Sequence, residues 1–353
     1  MKMKEYVKKP IFFERNRVHR LYLGGQSFAD FFLSEKEADN YYPEEWIAST
    51  VEANNSKSYR LREGVSIVRG TNIFFDELLE KYPEELLGNR KYDILVKLID
   101  SAIRLPIQTH PTKEFSKKHL NCEYGKTEAW LIVDTRPGAK IYLGFNDKYT
   151  REYLEELAVI SEHDKEIMTA VCQQIEVKTG DVFMINAGVA HAIGAGCTIL
   201  EIQEPTDFTV QPEYWCGDQI ISDQERYMGL DKRVAMSAFN FDLVGESVIK
   251  NSALTPRVEM ESAALKKENL ISYDDTTYFA LNRYSLKGDS LPLPYGPSVW
   301  IVLSGAGRIA GDYYRKEIKQ GDYFYLPFAA QNKFQILSDE EIVLIECLPS
   351  KQE

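Results

Sequence analysis

The sequence predicts a mainly β protein built as two jelly-roll barrels, with helical inserts confined to its N-terminal half. Three observations carry this. Most readable segments are short, β-branched and bounded by Gly, Pro or Asn; two stretches break that pattern with helical period; and one strand-and-turn motif occurs twice. A chain of 353 residues exceeds a single ordinary core and suits two domains.

The expected strands are Ser66 to Arg69, Ile94 to Ile99, Trp130 to Asp134, Lys140 to Gly144, Asp181 to Ile185 and Thr198 to Gln203. The helical stretches run over about 72–88, where Phe75, Leu78, Leu79 and Leu86 recur, and about 150–174, where Leu154, Leu157 and Ile167 recur. The segment Gly180-Asp-Val-Phe-Met-Ile-Asn-Ala-Gly-Val-Ala-His191 overlays Gly321-Asp-Tyr-Phe-Tyr-Leu-Pro-Phe-Ala-Ala-Gln-Asn332 at a constant offset of 141 residues. Each copy opens on a Gly-Asp turn, continues as an apolar strand and stops at Pro or Gly. In the second copy Trp300 to Gly307 adds a further strand and glycine turn. The expected division is 1–240, carrying the inserts, and 241–353, a second barrel.

Composition narrows the partners. The formal charge of -12 opposes a nucleic-acid backbone partner, which needs clustered Lys and Arg. No window of about 18 apolar residues occurs, and Met1 to Pro10 lacks the apolar stretch of a secretion signal, so neither a membrane span nor export is expected and the cytoplasm is the expected compartment. Five cysteines without CxxC spacing suggest neither a disulfide framework nor a thiolate zinc site.

The candidate chemistry lies in the first half. Residues two apart on an extended chain face the same way, so the run Ile103 to Gln108 and its continuation aim Gln108 and His110 into one barrel, and the strand opening at Gly125 aims Lys126, Glu128 and Trp130. His191 ends a third strand, before the small-residue turn Gly194-Ala195-Gly196, which lets backbone approach a ligand closely. Two imidazoles, a carboxylate and an amide oxygen suit Zn, Mn, Fe or Co with one position left open. The counterpart of His191 in the second copy is Asn332, and no His follows His191, so the second barrel reads as degenerate. His19, His119 and His163 are expected to be ordinary.

The runs Ile107-Gln-Thr-His-Pro111, Gly125-Lys-Thr-Glu-Ala-Trp130, Pro137 to Phe145 and Gly180 to Gly196 closely resemble class I mannose-6-phosphate isomerases, which are cupin-type proteins. Pro43 to Ser49 resembles that family's early Trp-containing strand, which places Trp46 among candidate substrate-binding residues. The resemblance covers about residues 10–215. It implies one Zn2+ per chain, other divalent metals being possible, on Gln108, His110, Glu128 and His191. It also implies aldose–ketose interconversion of mannose 6-phosphate and fructose 6-phosphate through an enediol. Glu201 is the candidate proton carrier, and Lys126 a catalytic and phosphate-binding point charge. The chain departs from the family pattern at Gln211, which falls in the catalytic set where an arginine is common, and at Pro106, where a hydroxyl is common. Arg104, expected on the same strand face as Pro106, is the candidate compensating phosphate ligand. An isomerase or epimerase of another sugar, and a non-catalytic sugar-binding protein, remain as alternatives. A monomer or weak homodimer is expected.

Overall fold

The computed structural model describes residues 3–351, and the fold is mainly β. A seven-stranded antiparallel sheet carries, in spatial order, Ala253–Leu254, Val182–Ile185, Glu128–Thr135, Cys197–Gln203, Leu95–Ser101, Glu44–Ile47 and Arg17–Val18. A three-stranded sheet orders Cys172–Glu176, Lys140–Phe145 and His191–Ile193. The remaining large sheet has nine strands and includes the long strands Ala280–Pro292 and Phe334–Leu348.

Alternation along the strands sets the layers. In the seven-stranded sheet Val96, Leu98, Ala129, Leu131, Leu200 and Ile202 face the nine-stranded sheet, sharing a core with Val299, Ile301, Tyr323, Tyr325 and Ile345. The intervening residues Ile99, Trp130, Ile132, Phe183 and Ile199 face the three-stranded sheet and pack on Ile141, Leu143 and Ile193. A strand covered on both faces must be apolar throughout, as Leu95–Ser101 and Cys197–Gln203 nearly are. Of the charged residues they do contain, Lys97 and Glu201 have the parity of Ile99 and Ile199 and face the interior between the seven- and three-stranded sheets, whereas Asp100 has the other parity and pairs with Arg136.

The repeat is visible in the topology. Val182–Ile185 and Tyr323–Leu326 are strands at the 141-residue offset. Trp130 stands opposite both Phe183 and Glu201, as Trp300 stands opposite both Phe324 and Glu346. The partner of Glu201 on the next strand is Lys97, whereas that of Glu346 is Asn282, so the second sheet keeps the carboxylate without the cation. Each half also lends a strand to the other: Ile11–Phe12 pairs with Tyr323–Leu326, and Ala253–Leu254 with Val182–Ile185.

Several expectations about local structure are corrected. Ser66 to Arg69 forms only isolated bridges, Phe13 with Val68 and Ile67 with Phe74. The stretch 72–88 is two short helices, Phe75–Lys81 and Pro83–Leu86. Pro83 disfavours helical geometry at Tyr82, which sits at φ -132° and ψ 51°. The stretch 150–174 is a helix Arg151–Ile160, capped by Thr150, then a 3-10 turn Ile167–Val171, and Cys172–Glu176 is a strand. Ile103 to Gln108 is extended but not a regular strand, because Pro106 has no N–H for a ladder. The Gly194 turn meets no ligand space: an added Cβ would lie 2.1 Å from the Lys140 carbonyl oxygen, so the close approach is to a neighbouring strand. Among the described residues no helix is long and apolar enough to cross a membrane. The five cysteines are free, and four are buried.

Candidate metal centre and cavity

Two strands and one irregular segment converge on the ligand set. Gln108 and His191 form an antiparallel bridge, with Gln108 N donating to His191 O at 2.8 Å and His191 N to Gln108 O at 2.9 Å. His110, two residues on, is placed by its carbonyl, which accepts from Gly188 N at 2.9 Å. Glu128 starts the central strand Glu128–Thr135, its backbone opposite Gln203 and Ile185. His110, Glu128 and His191 are all buried, and their ligand atoms lie within 4.8 Å of one another. Gln108 lines the adjoining cavity.

The proton arrangement suits a cation. Each imidazole places Nδ1 against a backbone carbonyl, His110 at 2.8 Å from Phe208 O and His191 at 2.9 Å from Val189 O. Carbonyls only accept, so Nδ1 carries the proton and Nε2 is left with a lone pair. Those two Nε2 atoms face each other at 3.2 Å, and Glu128 carboxylate oxygens lie 3.0 Å from His110 Nε2 and 3.4 Å from His191 Nε2. Burial, with Lys126 adding to it, pushes the His110 imidazole down to about 3, and burial also lowers His191. Both rings are therefore neutral ligands at physiological pH. Burial raises the Glu128 carboxyl, but Lys126 and the facing imidazoles outweigh it and hold the group well below the carboxylate range. Glu128 Oε2 is buried and has no hydrogen-bond donor of good geometry. The two imidazole Nε2 atoms and the Glu128 carboxylate converge as lone-pair donors and fit a divalent metal with a borderline or hard preference. The Lys126 ammonium stands beside them, 3.0 Å from His110 Nε2 and 3.1 Å from Glu128 Oε2.

A cavity of 340 Å³, within the range of small-molecule sites, adjoins this cluster through Gln108 and Lys126, while His110, Glu128 and His191 do not line it. Glu201, Lys126, Gln108 and Gln211 line it. Glu201 Oε2 accepts from Trp130 Nε1 at 3.0 Å, and its Oε1 lies 3.4 Å from Lys97 Nζ. Burial, reinforced by the Glu128 charge and opposed by Lys97 and Lys126, raises the Glu201 carboxyl to about 7. A carboxyl poised there exchanges protons readily near neutrality.

Two expected substrate contacts do not face the cavity. Arg104 is consumed by the buried Glu213, at 2.8 Å and 2.9 Å, while Glu213 also accepts from Ile107 N–H. Trp46 is fully buried behind the wall, its indole N–H donating to Glu44 Oε2 at 2.7 Å. The cavity instead has cations that sequence reasoning missed. Lys97, 3% exposed, lies among Glu201, Asp207 at 3.5 Å and Glu44 at 3.8 Å. Arg20 donates to both oxygens of Asp207, at 2.9 Å and 3.0 Å, and through Nε to Glu44 at 2.9 Å. Burial opposes the charge on Lys97, but the three carboxylates outweigh it and raise its affinity for the proton. Burial likewise raises Asp207, yet Arg20 and Lys97 overcome this and hold it at about 2.

Sheets enclosing two imidazoles and a carboxylate, with a cavity beside them, give a cupin-type fold with a candidate metal site and room for a small polar substrate. In sequence the chain is similar to proteins described as mannose-6-phosphate isomerases. It is 29% identical over 248 residues to mannose-6-phosphate isomerase ManA of Bacillus subtilis, spanning 69% of this chain and 71% of that protein. It is 29% identical over 287 residues to mannose-6-phosphate isomerase of Streptococcus mutans, spanning 79% and 84%. The fold matches the crystal structure of the Bacillus subtilis mannose 6-phosphate isomerase with a TM-score of 0.76 at 21% identity, covering 96% of this chain and 99% of that one. It also matches a mannose 6-phosphate isomerase bound with zinc and yttrium, at a TM-score of 0.69 and 14% identity, covering 97% and 100%. No protein-family model matches the chain.

Proposed function

We propose that this protein is a zinc-dependent aldose–ketose isomerase that interconverts mannose 6-phosphate and fructose 6-phosphate through an enediol. The observation that carries the reading is the convergence of His110, Glu128 and His191 beside a cavity that also holds a carboxyl poised near neutrality. The curated relatives' activity supports the substrate.

In this reading Gln108, His110, Glu128 and His191 would hold the metal, which would supply Lewis-acid stabilisation of negative charge on the substrate. Glu201 in its ionised form takes the proton from carbon 2 of the aldose and, now protonated, returns it to carbon 1, while the proton of the carbon 2 hydroxyl passes to the carbon 1 oxygen. Trp130 Nε1 fixes the orientation of that carboxylate, and Lys97 keeps it ionisable despite burial. Lys126 supplies a point charge to the substrate's oxygens or phosphate. Gln211 contributes a neutral hydrogen-bonding amide to the wall.

The test is isomerisation of mannose 6-phosphate in D2O by the zinc-loaded protein. Formation of fructose 6-phosphate with solvent deuterium entering the sugar at carbon 1 or 2 is the expected result. Sugar phosphate binding without product or exchange would instead assign a non-catalytic binding protein.

A further inference from the structure

The cavity meets solvent between two segments. Asn54 and Ser56 on one and Gln224 on the other are exposed and yet line it, and Ser56 hydrogen-bonds across the opening to Glu225, a further lining residue. The first segment, 53–63, is a loop whose ends are tied, Ala53 N donating to Glu63 O at 2.8 Å. Its base is firmly set. Val51 and Ala53 pack on Trp46, Glu63 is 3% exposed and accepts from His19 N at 2.9 Å, and a Cβ at Gly64 would lie 2.7 Å from the Trp46 ring. Arg62 is held from outside by Asp76, and by Glu52 and Glu77 at 3.1 Å each.

The span above that base is held differently. No residue from 54 to 62 is buried, and Leu61 is 79% exposed, so apolar burial contributes little. The attachments are polar bonds and one ring contact. Asn54 N donates to Asp207 Oδ2 at 2.8 Å, Asn55 Oδ1 accepts from Arg20 Nη1 at 3.0 Å, Ser56 bonds to Glu225, the Tyr59 ring lies 4.0 Å from the His19 ring, and Arg60 donates to Asn16. A span fastened in this way opens at far lower cost than the packed sheets beneath it. Arg62 at φ 50° and Gly64 at φ 99° put left-handed backbone at one foot of the span, where its direction changes. Three of the groups that fasten it, Asp207, Arg20 and Glu225, line the cavity themselves, so a molecule bound there lies against the fastenings.

We propose that residues 54–61 form a lid that swings on the base at Ala53, Arg62 and Gly64, opening to admit a sugar phosphate and closing over it with Asp207 and Glu225 as catches. This rests on the reading of the cavity as the sugar phosphate site of an isomerase. Closure shields the enediol from water and slows its escape, and opening sets the pace at which the product leaves.

Hydrogen exchange followed by mass spectrometry on the zinc-loaded protein tests it. Without sugar, the amides of 54–61 should exchange together and at least about 100-fold faster than those of the strand Leu95–Ser101. Saturating mannose 6-phosphate should slow them at least about tenfold. A variant in which three glycines replace 54–61, a bridge that the tied ends allow, should keep its zinc and release mannose 6-phosphate at least about tenfold faster in stopped-flow displacement. Glu225→Ala, which removes one catch and leaves the loop whole, should speed release at least about threefold, and it carries the test if the glycine variant does not fold. Exchange of 54–61 that bound mannose 6-phosphate leaves unchanged, or an unaltered release rate, overturns the lid. Protection of 54–61 without turnover upholds the lid and overturns the isomerase reading, turnover without protection does the reverse, and the absence of both overturns both.

Discussion

Removing the Lys97 ammonium should be among the most damaging single changes in the cavity, and its cost should depend on pH in a defined direction. Lys97 Nζ lies 3.4 Å from Glu201, 3.5 Å from Asp207 and 3.8 Å from Glu44, with the side chain 3% exposed. At an effective dielectric constant of about 20 each contact is worth roughly 4 kcal/mol of gross attraction, most of it offset by desolvation of the ions. Breaking such a buried arrangement from one side costs about 3–5 kcal/mol, because the carboxylates remain with less compensation. Lys97→Met keeps the side-chain length, so packing changes little. The carboxyl of Glu201 is raised to about 7, with Lys97 holding it down, so the variant pushes it higher still. Sign follows from proton uptake. A folded-state carboxyl above its unfolded value contributes stability below the unfolded value and loses it as pH rises through the folded value. In the wild type Glu201 is mainly protonated at pH 6 and draws little on Lys97, whereas at pH 8 it is mainly ionised and draws on it fully. Urea denaturation of metal-stripped protein, followed by tryptophan fluorescence, should therefore give a larger loss for Lys97→Met at pH 8 than at pH 6, by about 1 kcal/mol or more. An equal loss at both pH values, or a loss below about 1 kcal/mol at pH 8, would refute the reasoning.

Other substitutions separate metal, proton transfer and structure. His191→Ala removes one neutral imidazole from the cluster and should lower zinc affinity at least about 100-fold, measured as metal retained after dialysis against a graded chelator; full retention would exclude His191 as a ligand. Glu201→Gln should lower kcat by about 100- to 10,000-fold with zinc content unchanged, since it removes the proton acceptor and not a ligand. The wild-type rate should rise with pH along a limb at or below about 7, because a bound cation lowers a neighbouring carboxyl, and this limb should be absent from Glu201→Gln. Arg104→Ala should leave KM for mannose 6-phosphate within about twofold while costing about 3–5 kcal/mol in urea denaturation, because it strands the buried Glu213; a raised KM would restore Arg104 to the substrate site.

What the sequence revealed, and what it hid, follows from the range of the signals. His110, Glu128 and His191 were legible because their motifs are local and carry the family resemblance; His191, expected to end a strand, instead opens the strand His191–Ile193. The strand repeat was legible for the same reason. Lys97 carried a signal that was available, a lone charge inside the apolar run Leu95-Val-Lys-Leu-Ile99, which in a sheet buried on both sides requires a partner. Arg20 had none, since its partner Asp207 is 187 residues away and only the folded chain brings them together. Arg104 was misplaced because an alternating face says which side a residue takes, not whether a buried carboxylate such as Glu213 already holds it. Trp46 was misplaced for a related reason: its strand is buried on both faces, so a large aromatic there packs behind the wall. The helical stretches were too long because hydrophobic spacing continues across Pro83 and into Cys172–Glu176, where backbone chemistry and strand pairing override it.

The most direct test of the central claim is a single preparation assayed three times for mannose 6-phosphate to fructose 6-phosphate conversion: as purified, after a chelator has removed bound metal, and after zinc is restored. The account predicts about one metal per chain, activity lost with the metal and activity recovered with zinc, and the stoichiometry lost in His191→Ala. Full activity in protein proven metal-free would contradict it, because Glu201 and Lys126 would then be carrying the reaction without an ion at His110, Glu128 and His191.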